Sequence, residues 1–388
     1  MDNNNKTVRL KVALMVNIVA PSRVALYSGL AEHFNLLLLH GGTENNRESW
    51  DDVGKKIPNA DVRRAWGFQI RKMQKSNGKV FNPQFIHVTP GFVWHLIRFQ
   101  PDAVISIEMG FRTLIALLYG TLARRPVWVW WGGTIHTERK IGRTRRALRF
   151  LISRWARNWI SYGTTSTEYL MTLGIPGNRI LEAQNSVDER RFSEAVEPAF
   201  QVSPLPALLH VGQFIGRKGV DLLLKAAAIV QQEGHEFSLL LVGSGRDKQE
   251  LEELARDLRL KNVRFEPAHD PLEMAAVYRS ADALIFPTLE DVWGLVANEA
   301  MLCGVPVLCS KYAGCATELV PAESIFDPQN AGEFAGKLRD AVTGRLPMPH
   351  RSRLKSTPEI VGRMVHTIKA SVDRGAETVQ SAPVGRAS

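Results

Sequence analysis

The stretch that decides the fold is Pro287-Thr-Leu-Glu-Asp-Val-Trp-Gly-Leu-Val-Ala-Asn-Glu-Ala-Met301, followed by Cys303-Gly-Val-Pro-Val307. A short apolar run at 283–286 precedes it and is typical of a buried strand. Gly294 and Leu295 then open a segment of helical period. A strand that passes through a polar loop into a helix is a unit of α/β architecture.

Two acids in this stretch, Asp291 and Glu299, have seven residues between them. Asp291 lies in the loop and can accept hydrogen bonds from sugar hydroxyls. Glu299 lies one turn into the helix and can accept two bonds from a ribose diol, because carboxylates are pure acceptors. N–H groups at the helix start can hold a diphosphate. The alternative is two solvated acids that the helix dipole stabilises.

Similar apolar runs recur along the chain, alternating with segments of helical period. The predicted strands lie at 8–16, 36–39, 103–107, 127–131, 208–211, 238–242, 283–286 and 306–309. Predicted helices include 24–32, 112–123, 220–232 and 248–259. Continuous apolar runs suit strands that are covered on both faces. The alternation therefore predicts an α/β protein with parallel sheets.

The chain is too long, at 388 residues, for one small core. Residues 186–206 carry mixed charge and three prolines, and they separate two similar halves, 1–186 and 207–350. The segment 375–388 is rich in Ala, Ser and Gly, which predicts a disordered tail.

The composition excludes several classes of protein. With 45% hydrophobic and 23% charged residues, the chain is not disordered as a whole. No apolar run reaches the ~18 residues that span a bilayer, so a cytoplasmic location is expected. Cys303, Cys309 and Cys315 have no second cluster to pair with and are expected to be buried thiols. The formal net charge of +10 favours an anionic partner: nucleic acid, lipid or a phosphorylated substrate.

Two glycine clusters precede the acids. His210-Val-Gly-Gln-Phe-Ile-Gly-Arg-Lys-Gly219 ends a strand and places Lys218 where a helix begins. Free N–H groups and a cation at that point suit a phosphate group. Leu241-Val-Gly-Ser-Gly245 is a second strand followed by a glycine turn. Each cluster alone is a weak indicator, because such turns are common.

As an ordered set, these motifs resemble those of retaining glycosyltransferases of family 4, the glycosyl transferases group 1. That pattern has two acids separated by seven residues, then Glu-Ala-Met and a Gly-x-Pro turn. Asn185-Ser-Val-Asp188 is similar to its interdomain motif, and residues 313–319 resemble its loop ending in Glu. The resemblance covers about 185–320, and the N-terminal half matches only in outline.

The resemblance implies a GT-B fold, in which two Rossmann-like α/β domains with parallel sheets face each other across a cleft. Residues of about 355–374 would return as a helix to the first domain. The implied reaction moves a sugar, with retention, from a UDP-sugar (or, less expected, a GDP-sugar) to a hydroxyl acceptor such as a lipid-linked or cell-surface glycan precursor. No obligatory metal or other cofactor is implied.

By position in the motifs, the resemblance implies catalytic roles for Asp291, Glu299, Lys218 and His136. The implied donor-binding residues are Gly212, Gln213, Arg217, Lys218, Gly243, Gly245, Glu290, Asp291, Trp293, Gly294, Leu295 and Glu299. Recognition of the base by backbone groups is expected near residues 265–267.

The second half departs from the family pattern at two positions. Gln213 stands where the family usually has Arg, and Arg217 is the candidate to compensate for it. Asp291 stands where Glu is usual, and the neighbouring Glu290 is an alternative working acid.

The first half departs further. No glycine-rich loop follows the first strand, at 17–23. Trp130-Trp131-Gly132-Gly133 occupies the point where the family often has a histidine near the transferred sugar. His136 is the candidate for that role, and a surface-loop histidine is the alternative.

A basic segment between Arg139 and Arg157 contains eight basic residues and no acidic one. At helical period, Leu148, Leu151, Ile152, Trp155 and Trp159 share a face, and Arg143, Arg146, Arg154 and Arg157 lie opposite with Phe150. The segment is either the solvated side of a core helix or a surface for anionic lipid, which would make the protein peripheral on the inner face of a membrane. Nucleic acid is not expected, because no stacking platform accompanies the charge.

Two other functions stay open on the residues alone. A sugar-nucleotide epimerase or hydrolase of similar fold would consume donor without an acceptor. A non-catalytic module would bind a membrane or a partner. The intact pair of Asp291 and Glu299 favours a transferase over the module.

Overall fold

A computed structural model of the chain describes residues 9–42, 53–76, 79–139 and 141–380. The apolar runs form the strands of two parallel sheets, as the sequence predicted. The N-terminal strands are β1 (Lys11–Val16), β2 (Asn35–His40), β3 (Ala60–Arg64), β4 (Phe68–Ser76), β5 (Lys79–Val88), β6 (Ala103–Ile107), β7 (Val127–Trp131), β8 (Asn158–Ser161) and β9 (Ile180–Glu182). Seven of them form a parallel sheet in the order β3-β2-β1-β6-β7-β8-β9, and β4 pairs antiparallel with β5.

Helices cover both faces of the first sheet, which is why its strands are apolar throughout. They are α1 (Val24–His33), α2 (Gly91–Phe99), α3 (Phe111–Ala123), α4 (Ile135–Glu138), α5 (Arg143–Trp155) and α6 (Thr164–Thr172). Buried residues of α1 pack on one face, and those of α2, α3, α5 and α6 pack on the other.

The short helix α7 (Arg190–Ser193) lies in the connection to the second sheet. Its strands are β10 (Ala207–Val211), β11 (Ser238–Val242), β12 (Val263–Glu266), β13 (Ala283–Phe286), β14 (Val307–Ser310) and β15 (Ile325–Phe326), in the order β12-β11-β10-β13-β14-β15. Its helices are α8 (Val220–Gln232), α9 (Lys248–Asp257), α10 (Met274–Tyr278), α11 (Leu295–Leu302), α12 (Ala316–Leu319) and α13 (Ala331–Val342). Strand order reverses beside β10, and a crevice for ligands forms at such a switch point.

The last helix, α14 (Thr357–Gln380), returns to the first domain. It contacts α1, and Ile360, Met364 and Ile368 lie in the core beneath the first sheet. The helix runs to Gln380, so the prediction of a disordered tail from residue 375 was wrong for 375–380. Each further residue of a formed helix closes one more backbone bond, so a helix can extend through residues that do not favour it individually. Residues 381–388 lie outside the described residues.

The sequence did not predict some of the strands. The hairpin of β4 and β5 and the short strands β8 and β9 lack a long apolar run, and strands of three or four residues carry too little pattern to be read.

The three cysteines are buried and none of them is in a disulfide. Over the described ranges, no helix has the length and apolar character needed to cross a bilayer.

The basic helix α5 is oriented differently from the prediction. Leu151 and Trp155 were expected on its buried face, but both are exposed, and Trp159 belongs to β8. Ile152 is buried as predicted, but Arg149 is buried as well. The cause is a salt bridge: Arg149 Nε donates to Glu138 Oε2 at 3.0 Å, and this pairing turns Arg149 toward the core.

Candidate active site

A cavity of ≈ 350 Å³ lies between the two domains, at the carboxyl ends of β10 and β11. Gly212 and Gln213 after β10, Gly243 after β11, and Leu295 and Glu299 on α11 line it. The N-terminal domain contributes Pro21 and Ser22, from the turn that leads into α1. The structure therefore brings five of the predicted donor-binding residues together around one space.

The glycines of the two turns let their backbones pack against each other. A Cβ at Gly243 (φ 157°) would lie 1.8 Å from the carbonyl oxygen of Gly212. A Cβ at Gly245 would lie 2.2 Å from the carbonyl oxygen of Phe214. No side chain fits at either point, so these two positions require glycine, and the cavity meets backbone atoms at Gly212 and Gly243.

Glu299 is one of two acids that line the cavity; the other is Asp188. Glu299 Oε2 accepts a hydrogen bond from the Tyr278 hydroxyl at 2.6 Å. Within the described part of the chain, this hydroxyl is the one donor to the carboxyl group. Burial raises the pKa of Glu299 to about 7, and the Tyr278 bond opposes the rise. The carboxyl group therefore keeps unused acceptor capacity that faces the cavity.

Lys218 and Asp291 form a largely buried ion pair, with 2.5 Å between Nζ and Oδ2. Burial lowers the pKa of Lys218, although Asp291 opposes the shift. Burial alone would raise the pKa of Asp291, but the charges of Lys218 and Arg217 outweigh it and hold that pKa below its ordinary value. Neither side chain lines the cavity; the Lys218 ammonium lies 5.5 Å from the centre of the Phe286 ring.

Arg217 is held by the loop after β13. Its Nη1 donates to the carbonyl oxygen of Glu290 at 3.0 Å and lies 3.9 Å from Asp291 Oδ2. Gln213 lines the cavity, whereas Arg217 does not. Burial raises the pKa of Glu290, which lies outside the cavity lining as well.

Gly294 caps α11 with φ 104°, and a Cβ there would lie 2.3 Å from the Phe286 ring. Leu295 follows as the first helical residue, where backbone N–H groups lack intrahelical acceptors. Trp293 was predicted to bind the donor, but its indole is 1% exposed and donates to Asn298 Oδ1 at 2.8 Å. This indole belongs to the core and does not line the cavity.

His136 lies on α4, outside the cavity lining. Its ring meets Tyr312 of the second domain edge to face, with 5.2 Å between the ring centroids. Burial lowers the pKa of His136, and the nearby charges of Arg139 and Lys311 lower it further. These effects favour the neutral imidazole, and the ring contact bridges the two domains.

The motif loops also join the domains. Glu318, the acid that ends the loop 313–319, accepts from the backbone N–H of Thr164 at 2.9 Å and from Gln184 Nε2 at 2.7 Å. Thr165 Oγ1 donates to the carbonyl oxygen of Gly314 at 2.7 Å. The loop 313–319 therefore forms part of the contact between the two domains.

Sequence reasoning missed several cavity residues. Asp188 ends the recognised interdomain motif, and its Oδ2 lies 3.3 Å from Arg191 Nε; both residues line the cavity. Arg191 lies outside the motifs identified in the sequence. The base was expected near 265–267, but Ala268 and His269, the next residues along the chain, are the ones that line the cavity.

Comparison with known proteins finds a family match within the second half of the chain. Residues 197–357 match the family described as glycosyl transferases group 1. D-inositol 3-phosphate glycosyltransferase 2 of Catenulispora acidiphila is 33% identical over 201 residues, which are 48% of this chain and 47% of that protein. Sulfoquinovosyl transferase SQD2 of Arabidopsis thaliana is 21% identical over 318 residues, 77% of this chain and 59% of that one. The chain thus spans roughly half the length of these relatives.

Solved structures resemble the whole chain. Anabaena HepE in complex with UDP and glucose has a TM-score of 0.66 at 17% identity, covering 96% of this chain and 100% of HepE. The apo lipopolysaccharide outer core galactosyltransferase WaaB has a TM-score of 0.64 at 15% identity, covering 95% of this chain and 100% of WaaB. Together with the two parallel-sheet domains, these likenesses confirm the predicted GT-B fold.

Proposed function

We propose that this chain, whose residues 197–357 match the glycosyl transferases group 1 family, transfers a sugar from a nucleotide-sugar donor to a hydroxyl acceptor. The observation that carries the proposal is Glu299, a carboxyl group with spare acceptor capacity in a cavity of ≈ 350 Å³. A cavity of this size is within the range of small-molecule sites.

The nucleotide lies in the cavity. Glu299 accepts two hydrogen bonds from the ribose diol, and the side-chain-free floor at Gly212 and Gly243 lets the diphosphate approach the backbone. The N–H groups at the start of α11 face an anion favourably. The donor we propose is a UDP-sugar, in keeping with the UDP complex of HepE, and a GDP-sugar is the second choice.

The sugar end of the donor lies toward the ion pair of Lys218 and Asp291. Asp291 accepts from sugar hydroxyls, and Lys218 stabilises charge on the leaving diphosphate. This scheme assigns that stabilisation to a cationic side chain and a helix terminus, without an obligatory metal. Arg191, which lines the cavity, is a better-placed second cation than Arg217.

The acceptor approaches from the N-terminal domain, near Trp131 and His136. We propose retention of configuration, with the acceptor hydroxyl attacking on the side from which the diphosphate leaves. A lipid-linked or cell-surface glycan precursor is the acceptor class that we propose.

The test is a panel of UDP- and GDP-sugars assayed by thermal shift on wild type, Glu299→Ala and, as a matched control, Glu236→Ala at an exposed position. One donor class should raise the melting temperature of wild type and the control by a few degrees at saturating ligand, and the shift should vanish in Glu299→Ala. No shift with any donor would contradict the proposal. Donor consumption without any acceptor would instead indicate an epimerase or hydrolase.

A further inference from the structure

The outer surface of α2, α3 and α5 carries large apolar side chains in solvent. These helices contact one another in that order and form one layer on the first sheet. Their most exposed apolar residues are Trp94 (61%), Ile97 (59%), Leu118 (53%), Leu122 (77%), Phe150 (65%) and Leu151 (50%). We call this surface the α2–α3–α5 face. Apolar side chains concentrated on one side of a domain usually mark an interaction site.

The apolar residues of α3 and α5 are adjacent. Trp155 Nε1 donates to Thr121 Oγ1 at 3.1 Å and ties α5 to α3. Leu118 and Leu122 flank Thr121 and lie one helical turn apart, and Leu151 lies one turn before Trp155. An exposed indole therefore lies among leucines from two helices, and the apolar surface continues from one helix to the next.

Arg149 holds α5 in this orientation. It is 8% exposed, its Nε donates to Glu138 Oε2 at 3.0 Å, and its guanidinium lies 4.4 Å from the centre of the Trp131 ring. A basic residue thus occupies the inner side of the helix, while Phe150 and Leu151 point outward. Burying an arginine while exposing a phenylalanine and a leucine is costly in water, unless another apolar medium covers the outer side.

The charged residues of α2, α3 and α5 are all basic. None of α2, α3 and α5 contains an Asp or Glu. Arg143, Arg146 and Arg154 on α5, and Arg157 just after it, form no ion pair within the described ranges. The exposed apolar side chains therefore lie among positive charges that no acid of the same helices neutralises.

We propose that the α2–α3–α5 face docks on an anionic lipid bilayer, with its apolar side chains in the interfacial region and its arginines at lipid phosphates. A basic surface that also exposes Trp, Phe and Leu has the composition of interfacial membrane-binding elements. A nucleic acid would leave the aliphatic residues without partners. A second copy would bring two acid-free basic faces together. The proposal does not depend on the transfer reaction.

The test is flotation with vesicles of phosphatidylcholine alone, or of phosphatidylcholine and phosphatidylglycerol in equal parts, without donor or acceptor. Wild type should bind the anionic vesicles at least about tenfold more tightly. The charge variant Arg143→Glu, Arg146→Glu, Arg157→Glu and the apolar variant Leu122→Ser, Phe150→Ser should each weaken that binding about tenfold or more. All these positions are exposed, so the variants should fold, and melting curves would verify it.

Matched controls lie elsewhere on the surface. Arg256→Glu, Lys261→Glu, Arg363→Glu makes the same change in net charge, and Leu272→Ser, Met348→Ser removes two exposed apolar side chains. Both controls should bind like wild type. Equal binding to the two vesicle types, equal loss in the controls, or full binding by the apolar variant would each overturn the proposal. So would a concentration-dependent dimer that the apolar variant abolishes, since a second copy would then cover the face.

Discussion

Glu299 shows, at the scale of one residue, how a group suited to ligand binding can lower the stability of the folded protein. Its carboxyl group is enclosed by protein, and Tyr278 supplies its hydrogen bond. Burial raises the pKa from the ordinary 4.5 to about 7, so the folded state binds this proton more tightly than the unfolded chain does. The stability that the proton contributes is fully present below about pH 4.5 and is lost as the pH rises through 7.

Glu299→Gln, which mimics the protonated acid, should therefore be more stable than wild type at pH 8, by on the order of 2–3 kcal/mol. At pH 5 the two proteins should differ little. Urea unfolding of both proteins at the two pH values measures this, with Glu236→Gln at an exposed position as the control. Equal stability of Glu299→Gln and wild type at pH 8 would show that the carboxylate is not destabilising. The same variant should lose donor binding, because an amide offers one acceptor oxygen instead of two.

The Lys218–Asp291 ion pair is expected to affect both the stability of the protein and its donor turnover. Lys218→Met leaves Asp291 buried without its nearest cation, which should lower the free energy of unfolding by about 3–5 kcal/mol. It should also lower donor turnover by about 10²–10³-fold. The double variant Lys218→Met, Asp291→Asn removes both charges and should regain stability but not turnover.

The matched control for this pair is Lys225→Met, which breaks an exposed ion pair with Asp221 at 3.4 Å. It should change neither the free energy of unfolding nor donor turnover appreciably. Chemical unfolding and a donor-consumption assay supply the two readouts. Turnover restored in the double variant would remove Lys218 and Asp291 from the proposed mechanism.

At the scale of elements, the two glycine turns after β10 and β11 act as one unit, because backbone meets backbone at Gly212 and Gly243. Neither turn forms the cavity floor alone. Their pairing depends on the parallel contact of β10 with β11, which places the two strand ends side by side.

Gly243→Ala should abolish donor binding, because its Cβ would overlap the Gly212 carbonyl and push the two turns apart. Gly336→Ala is the contrasting change. Gly336 lies within α13 with open space around its Cβ position, and alanine there should stabilise the protein by about 0.5–1 kcal/mol. Thermal shift with and without donor distinguishes the two variants. Donor binding that survives in Gly243→Ala would contradict the proposed floor.

At the scale of the whole molecule, α14 joins the end of the chain to its beginning. Trp128 Nε1 on β7 donates to Ser371 Oγ at 3.1 Å, and Thr357 Oγ1 bonds to Glu189 Oε2 at 3.0 Å near the connection between the domains. The first domain is therefore completed by residues that follow the second domain in sequence.

Met364→Ala should lower the free energy of unfolding by about 2–5 kcal/mol, because Met364 is fully buried between α14 and the first sheet. The neighbouring Arg363 is exposed, and Arg363→Ala should change stability by less than about 0.5 kcal/mol. Denaturation followed by tryptophan fluorescence reports on this domain, since Trp128 contacts the same helix. Equal stabilities of the two variants would mean that α14 does not support the first domain.

The sequence alone determined the α/β class, the two sheets and most long elements. Buried parallel strands are local apolar runs, and the turns that end them need glycine for reasons of backbone geometry, so neither signal depends on distant residues. The order of the motifs in 185–320 also indicated the GT-B fold and the acids Asp291 and Glu299 before any contact was known.

Tertiary structure alone decided which of these residues face the cavity. Trp293 looks like a site residue in its motif, yet its indole pairs with Asn298 in the core. Arg191 has no motif and lines the cavity beside Asp188. The direction of α5 depends on the pairing of Arg149 with Glu138, eleven positions away. Side-chain direction depends on partners that the chain brings near only when it folds, and no local pattern encodes them.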